Sequence, residues 1–321
     1  MKIIRSRLLG FCFGVRRAVE LAVQEAKKAH TSQSLQSGEK TVYTLGSLIH
    51  NPKVLSDLEL LGVKTINNDD NEELTINNKQ LSDCSVIIRA HGISPELEKN
   101  LKDSGCKIID ATCPKVKANQ LKIKELSELG YCLFVAGEKK HAEITGLLGY
   151  AKGANCGANC GAICGVQFCV VIGTEQEAKE NALTLSETNK KNSKVAKVAK
   201  AALLGQTTIS ADEYRLIGNQ IKSFFPNLEI VNTICSATHQ RQEALREILP
   251  KVDAVIVAGG EQSANTRRLF VIAKESGKPC VIAENAEAIP KEFFAYETIG
   301  LCSGASTPDS VIDEIEKFLL Q

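Results

Sequence analysis

The sequence predicts an α/β protein built from three similar units, each with a mostly parallel four-stranded sheet, around a pseudo-threefold axis. Short apolar runs rich in β-branched residues alternate with segments of helical period, as in parallel sheets covered by helices. Three cysteines, Cys12, Cys113 and Cys235, recur at intervals of 101 and 122 residues, each between an apolar run and a helical segment. This recurrence predicts one thiolate from each of three similar units, on a loop at the C-terminal end of a strand and beside a helix N-terminus.

The strand candidates divide evenly among the units if the first run, KIIRS, completes the last unit. KTVYTL, VKTI, SVIIRA and KIIDA follow Cys12, and YCLFVA, FCVVIG, VAKAALL and LEIVNTI follow Cys113. DAVIVAG, PCVIAE and TIGLC follow Cys235. The predicted domains are therefore residues 12–112, residues 113–234, and residues 235–321 together with 1–11.

Helix starts are marked where a capping side chain is followed by proline at the first helical position, which needs no amide hydrogen. This pattern predicts helices after Asn51-Pro52, Ser94-Pro95 and Thr307-Pro308. Ser210 and Glu213 have the spacing of a capping box, which predicts a fourth helix start.

Composition limits the classes of partner. The chain has 321 residues, 39 basic and 38 acidic, with 5% aromatic residues and no basic block. This balance does not favour nucleic acid or an anionic membrane surface, so a small molecule is the expected partner. No apolar stretch reaches the length of a membrane span, and the N-terminal residues have the pattern of a first strand rather than of an export signal.

Twelve cysteines without an export signal predict a cytoplasmic protein with reduced thiols, in which cysteine serves as metal ligand, catalyst or buried apolar residue. A glycine-rich segment, Gly153 to Gly165, carries Cys156, Cys160 and Cys164 and is followed shortly by Cys169. Their spacing differs from that of paired metal ligands, so we interpret the segment as compositional, with a second metal centre as the alternative.

The three recurrent cysteines suit a cubane iron-sulfur cluster. Three thiolates can hold three irons and leave the fourth iron without protein sulfur, open to substrate. A zinc site with three cysteines and one histidine is the alternative, but structural zinc ligands usually occur as close pairs in sequence.

Polar side chains follow many of the predicted strands, at the edge where ligands bind in α/β sheets. Taken singly, each is explained by a structural role or a helix cap. Together they offer hydrogen-bond donors and helix N-termini to a phosphate or diphosphate. The set comprises His50, His91, His141, Glu143, Thr207, Ser263, Asn265 and Ser306.

Nine ordered motifs resemble those of the 4-hydroxy-3-methylbut-2-enyl diphosphate reductase family, the LytB-type iron-sulfur reductases. They are GFCFGVRRAV, LIHNPKV, RAHGIS, DATCPKV, HAEITG, QTTIS, ICSATHQRQEA, GGEQSANTRRL and SGASTPD. The resemblance implies a trefoil of three α/β domains around a [4Fe-4S] cluster. It also implies the last step of the methylerythritol phosphate route, which forms isopentenyl and dimethylallyl diphosphate from the allylic diphosphate substrate.

The resemblance also implies roles for residues at matching positions. The cluster ligands would be Cys12, Cys113 and Cys235, the proton donor would be Glu143, and Thr207 would order the substrate hydroxyl with it. The diphosphate would be held by His50, His91, His141, Ser263, Asn265 and Ser306. Ala142 and Ala264 depart from the family pattern, and Ala264 removes one potential hydroxyl donor.

Two other functions are compatible with the same cysteines. One is a non-catalytic iron-sulfur electron carrier or sensor, which would not need Glu143 or the histidines. The other is a non-redox iron-sulfur hydro-lyase, which would turn over without an electron donor. For the reductase we expect a flavodoxin or ferredoxin as electron donor, and a monomeric protein.

Overall fold

The computed structural model describes residues 1–31, 41–66, 84–151, 168–191 and 200–321. These residues form twelve strands and ten α-helices, and the strands pair in parallel. The strands are β1 Lys2–Arg5, β2 Val42–Leu45, β3 Val63–Ile66, β4 Ser85–Ile88, β5 Lys107–Asp110, β6 Cys132–Ala136, β7 Cys169–Ile172, β8 Ala201–Gly205, β9 Glu229–Ile230, β10 Ala254–Ala258, β11 Cys280–Ala283 and β12 Thr298–Ser303. The helices are α1 Phe13–Thr31, α2 Pro52–Leu60, α3 Pro95–Asp103, α4 Pro114–Glu128, α5 Ala142–Ala151, α6 Glu175–Lys191, α7 Ala211–Lys222, α8 Ser236–Ile248, α9 Ala264–Glu275 and α10 Asp309–Leu319.

The strands form three four-stranded sheets, with the orders β1-β12-β10-β11, β3-β2-β4-β5 and β7-β6-β8-β9. The predicted α/β class with three parallel four-stranded sheets is therefore confirmed. Strand β1 pairs with β12, with Lys2 opposite Thr298, so the first strand completes the sheet of the last three, as predicted. In each sheet, the strand that precedes a candidate cysteine lies at an edge.

The chain divides into two compact units. The first comprises Met1–Ala90, Leu101–Cys113 and Ser236–Gln321 and holds two sheets. The second comprises His91–Asn100 and Pro114–Cys235 and holds the third sheet. The finer division into residues 12–112, 113–234, and 235–321 with 1–11 stays a prediction.

The sheet of the second unit has an apolar layer on both faces. Phe134 and Leu203 pack into one layer with the buried side of α7, whereas Leu133 and Leu204 pack into the other with α5. Successive residues of a strand face opposite sides, so a strand covered on both faces must be apolar throughout. This explains why the strands read as continuous apolar runs.

The first unit repeats this arrangement in the sheet that contains β10. Ile256 packs into the layer below α10, and its neighbours Val255 and Val257 pack on the opposite face with α8 and α9. The other sheet of this unit packs Val42 and Ile87 against the alanine-rich side of α1. The described helices include none that is long and apolar enough to cross a membrane.

Three of the four marked helix starts have the predicted cap. Asn51 accepts a hydrogen bond from the Val54 N–H (3.1 Å), Ser94 from the Leu97 N–H (3.2 Å) and Ser210 from the Glu213 N–H (3.1 Å).

The predicted start at Thr307-Pro308 is wrong, because Pro308 is itself the cap residue and α10 begins at Asp309. The Thr307 hydroxyl instead donates to the Ala258 carbonyl oxygen (2.9 Å), so it ties the loop to the end of β10.

Candidate functional site

The three recurrent cysteines occupy equivalent positions in the three sheets. Each follows an edge strand and directly precedes a helix: Cys12 lies between β1 and α1, Cys113 between β5 and α4, and Cys235 between β9 and α8. All three are partly exposed and free of disulfides. Their backbone N–H groups donate to carbonyl oxygens just beyond the neighbouring strand, Cys12 to Ala305 (3.1 Å), Cys113 to Ala90 (2.9 Å) and Cys235 to Thr207 (2.9 Å).

The surroundings of these thiols fit a thiolate-bound cofactor. A helix N-terminus carries partial positive charge, which complements an anionic group bound beside it. In the first unit, Gly14 approaches Cys113 so closely that a Cβ on Gly14 would lie 2.5 Å from the Cys113 Sγ. A glycine directly after Phe13 therefore leaves the space that the second thiol occupies. Three partly exposed thiols without zinc-type pairing form a donor set suited to an iron-sulfur cluster.

A carboxyl group is buried in the second unit, at the start of α5. Glu143 is 1% exposed. Its Oε1 accepts a hydrogen bond from the Thr207 backbone N–H (2.8 Å), and its Oε2 contacts the Thr207 Oγ1 (2.7 Å). Thr207 follows β8, so two adjacent strand ends of one sheet bring the pair together.

Burial raises the pKa of Glu143 to about 7, even though the two bonds from Thr207 favour the charged form and act against that rise. Near neutral pH the carboxyl group therefore exists in both protonation states. The Thr207 hydroxyl suits both, because it can donate to the carboxylate or accept from the protonated acid. A carboxyl group with these properties can release a proton at neutral pH.

The ring of His141 is oriented by the same loop. Its Nδ1 lies 3.2 Å from the Glu143 backbone N and accepts that N–H. A neutral ring whose Nδ1 accepts carries its proton on Nε2, so His141 presents an N–H donor at its other nitrogen. The His91 ring packs edge-on against it, with centroids 5.2 Å apart and an interplanar angle of 89°. The second unit therefore brings His91, His141, Glu143 and Thr207 together.

Gln206 is a buried side chain that the sequence analysis did not single out. Its Oε1 accepts from the Glu138 N–H (2.9 Å), and its Nε2 donates to the Thr208 Oγ1 (2.9 Å). It thereby bridges the loop that carries His141 to the loop that carries Thr207. A Cβ on Gly137 would lie 2.8 Å from the Gln206 Cβ, so glycine is required at this crossing. In the sequence, the only indication of a role for Gln206 is its position directly before Thr207.

The remaining predicted ligands lie in the first unit. The Ser306 hydroxyl donates to the His50 backbone carbonyl (3.2 Å), and a Cβ on Gly260 would lie 3.1 Å from that same oxygen. Ser263 caps α9, with the Thr266 N–H donating to its Oγ (3.4 Å). The loops after β2, β10 and β12 therefore place His50, Ser306 and the start of α9 beside one another.

Asn265 has the clearest unfilled polar capacity in this unit. It is 4% exposed, and neither its Oδ1 nor its Nδ2 has a hydrogen-bond partner among the described residues. A buried amide without partners is costly unless a ligand or water satisfies it. Because Asn265 lies in the first turn of α9, an anion would find both the amide and the helix N-terminus.

Of the cysteines in the glycine-rich segment, Cys156, Cys160 and Cys164 lie outside the described residues. Cys169 is buried in β7 and packs in the apolar layer beside α5.

Comparisons with known proteins give consistent results over nearly the whole chain. The family model described as LytB protein matches residues 3–320. The chain is 40% identical to a 4-hydroxy-3-methylbut-2-enyl diphosphate reductase of Treponema denticola, with 100% of both chains covered. It is 35% identical to the protein of that name from Aquifex aeolicus, with 98% of this chain and 94% of the relative covered.

Two solved structures resemble the fold. One is described as the E-1-hydroxy-2-methyl-but-2-enyl-4-diphosphate reductase of Plasmodium falciparum, with a TM-score of 0.80 and 25% identity over 100% of this chain and 88% of that one. The other is described as (E)-4-hydroxy-3-methyl-but-2-enyl diphosphate reductase, the terminal enzyme of the non-mevalonate pathway. It has a TM-score of 0.64 and 34% identity, with 99% of both chains covered.

Proposed function

We infer that this chain, which belongs to the LytB protein family, is an oxidoreductase that converts 4-hydroxy-3-methylbut-2-enyl diphosphate into isopentenyl and dimethylallyl diphosphate. The family match covers residues 3–320, and full-length relatives carry the name of this reductase. The reaction is the terminal step of the non-mevalonate route to isoprenoids.

For the cofactor, we propose a [4Fe-4S] cluster held by the thiolates of Cys12, Cys113 and Cys235. The equivalent placement of the three thiols after edge strands supports this assignment, as does the space that Gly14 leaves beside Cys113. When bound, such a cluster supplies the electrons and a Lewis-acidic iron without protein sulfur.

The side chains proposed to bind the diphosphate are histidine, serine and asparagine. None of them is lysine or arginine. His141 offers its Nε2–H, and Asn265 offers a buried amide that no described protein group satisfies. The full proposed set is His50, His91, His141, Ser263, Asn265 and Ser306. The N-terminus of α9, which Ser263 caps, adds partial positive charge.

Glu143 would protonate the leaving hydroxyl group. Overall, the allylic C–O bond breaks, a C–H bond forms, and two electrons and two protons are consumed as water leaves. Glu143 supplies a proton to the hydroxyl oxygen, and Thr207 fixes the carboxyl group through its N–H and hydroxyl. The observation that carries this proposal is a buried carboxyl group held by the Thr207 N–H and hydroxyl, and this burial raises the pKa of Glu143 to about 7.

The proposal is tested by anaerobic purification, iron and sulfide analysis, and an assay with a reduced dye and the allylic diphosphate. A reductase consumes dye only when substrate is present and forms both isomeric products. A carrier or sensor binds the cluster but converts no substrate, and a hydro-lyase converts substrate without dye. The physiological donor, expected to be a flavodoxin or ferredoxin, the monomeric state and the cytoplasmic location stay predictions.

A further inference from the structure

The helices that follow the three cysteines carry side chains that reach backbone carbonyl groups ahead of another cysteine. Helix α1, which follows Cys12, contributes Arg17. Its Nη1 donates to the Thr112 carbonyl oxygen (3.1 Å), and its Nη2 donates to the Asp110 carbonyl oxygen (3.0 Å). Both acceptors lie directly ahead of Cys113, so one guanidinium group holds the backbone that leads into this cysteine.

Helix α4, which follows Cys113, makes the corresponding contacts ahead of Cys235. The Asn119 Nδ2 donates to the Thr233 carbonyl oxygen (3.2 Å), and the Lys115 Nζ donates to the Asn232 carbonyl oxygen (2.9 Å). Asn119 is 4% exposed, whereas the Lys115 contact lies at the surface. The buried amide is therefore the stronger constraint on this loop.

Helix α8, which follows Cys235, completes the series ahead of Cys12. The Arg241 Nη2 donates to the Gly10 carbonyl oxygen (2.7 Å), and its Nη1 donates to the Leu8 carbonyl oxygen (3.2 Å). Arg241 is 5% exposed. The Gly10 N–H in turn donates to the Ser303 Oγ (3.0 Å), so the turn before Cys12 is held from two sides.

The contacts form a cycle in chain order. The helix after the first cysteine holds the loop of the second, the helix after the second holds that of the third, and the helix after the third holds that of the first. Each contact lies within one of the two compact units. In addition, each cysteine N–H donates to a carbonyl group just beyond the neighbouring strand, so every cysteine-bearing loop is held by both a helix side chain and a strand end.

We propose that Arg17, Asn119 and Arg241 are positioning residues that hold the cysteine-bearing loops in the geometry needed to retain the iron-sulfur cluster. The inference rests on the proposed function, since it concerns the ligands of that cluster. Backbone carbonyls in loops need a donor, and a bond from a charged donor is stronger than a neutral one. Because Asn119 and Arg241 are buried, removing either leaves a carbonyl group that water reaches poorly.

Iron release provides the first test. Arg241→Met, Asn119→Asp and Arg17→Met should be reconstituted anaerobically beside the wild type, and the rate of iron loss to a chelator should be measured. We expect release to become about tenfold faster or more in Arg241→Met and Asn119→Asp, and less in the more exposed Arg17→Met. Arg241→Lys, which keeps the charge, should recover part of the loss.

Three controls separate positioning from general destabilisation. Arg16→Met changes an exposed arginine next to Arg17, and Lys124→Met changes an exposed lysine on α4. Ile272→Val weakens the core beneath α9, in an apolar cluster that contains no residue of the three cysteine loops. All three should release iron at the wild-type rate, even where the thermal midpoint of Ile272→Val falls as far as that of a positioning variant.

Amide hydrogen exchange on the cluster-free protein provides a test that needs no cofactor. Arg241→Met should speed exchange in residues 8–12, Arg17→Met in residues 110–113, and Asn119→Asp in residues 232–235, with no change in Arg16→Met. Unchanged exchange in all three loops, or iron release equal to that of the controls, would overturn the inference. A wild type that binds neither iron nor sulfide would overturn the proposed function, and the exchange data would still decide whether the tethers exist.

Discussion

Two buried glutamates, one in each compact unit, have pKa values displaced in opposite directions. Glu143, in the second unit, is 1% exposed, and Glu25, on α1 of the first unit, is 7% exposed. Burial by itself acts to raise the pKa of each, and the contacts of each carboxyl group act against it. For Glu143 the opposing bonds come from the uncharged Thr207, and its pKa stays high, at about 7.

For Glu25 the opposing contacts include a cation. Its Oε1 accepts from Lys107 Nζ (2.5 Å) and from the Ser85 hydroxyl (2.8 Å), with Lys28 nearby. Burial is the largest single influence, but these contacts together outweigh it and hold the pKa below the ordinary value. The comparison teaches that the charge of the partner, rather than depth alone, decides whether a buried carboxyl group is a proton donor or a structural anion.

The largest expected effect is on turnover, and it comes from Glu143→Gln. The same substitution at Glu25 is the comparison. Glu143→Gln should lower turnover by about 10²-fold to 10⁴-fold with little change in substrate binding, because the proposed proton donor is lost. Glu25→Gln should leave turnover near the wild-type value, because Glu25 makes only structural contacts. Steady-state kinetics with a reduced dye measures both. Near-normal turnover in Glu143→Gln would reject the proton-donor role.

The next effect is on stability as a function of pH. The folded-state pKa of Glu143 is raised, so the unfolded chain ionises first and stability falls as pH rises from 4.5 to about 7. Over this window the wild type should lose about 3 kcal/mol relative to Glu143→Gln, which has no carboxyl group. Urea denaturation of cluster-free protein at several pH values measures the difference. Parallel pH curves for the two proteins would contradict the raised pKa.

Thr207→Val sharpens the comparison further by making the surroundings of Glu143 more apolar. The variant keeps the backbone N–H bond but loses the hydroxyl. Because the hydroxyl bond favours the charged carboxylate, its loss should raise the pKa of Glu143 further. We expect the alkaline fall of kcat/KM to move to higher pH by about one pH unit, and turnover to fall about tenfold. Thr184→Val, at an exposed threonine on α6 of the same unit, is the control. An alkaline limb that stays in place would argue against Glu143 as the titrating group.

The smallest effect is expected at Glu25. Because its pKa is depressed, its stabilising contribution is present above pH 4.5 and is lost as pH falls through the folded-state value. Glu25→Gln should lower the free energy of unfolding by about 1 kcal/mol at pH 7, since Lys107 is largely solvent-exposed. Lys107→Met should produce a similar loss. An unchanged urea midpoint in both variants would mean that this ion pair does not stabilise the fold.

The continuous apolar runs in the sequence made most of the fold predictable. The twelve apolar runs all contain strands, because parallel sheets covered on both faces require uninterrupted apolar residues. The run LEIVNTI contains only the two-residue β9, since it lies at a sheet edge where Ile230 is 39% exposed. The first two residues of VAKAALL lie outside the described residues, and its strand begins at Ala201.

The candidate site was predictable only in part. Cysteine recurrence and strand-end polar residues indicated where chemistry would lie, because those positions depend on chain order. The contacts of Gln206, Arg17 and Arg241 were not predictable, because a side chain that donates to a distant carbonyl leaves no periodic trace in sequence. Thr307 does not cap α10, because Pro308 occupies the cap position and the Thr307 side chain is instead held at the end of β10 by the Ala258 carbonyl.

The pairing of β1 with β12 delays one part of the molecule during synthesis. Lys2 is opposite Thr298, so the N-terminal strand lacks its sheet partner until β12 has been synthesised. The turn at Leu8 and Gly10 likewise lacks its partner Arg241 until α8 has been synthesised. Cys12 is thus translated first among the three thiols but gains its neighbouring strand last, so we expect the proposed cluster to be loaded only after β12 has been made.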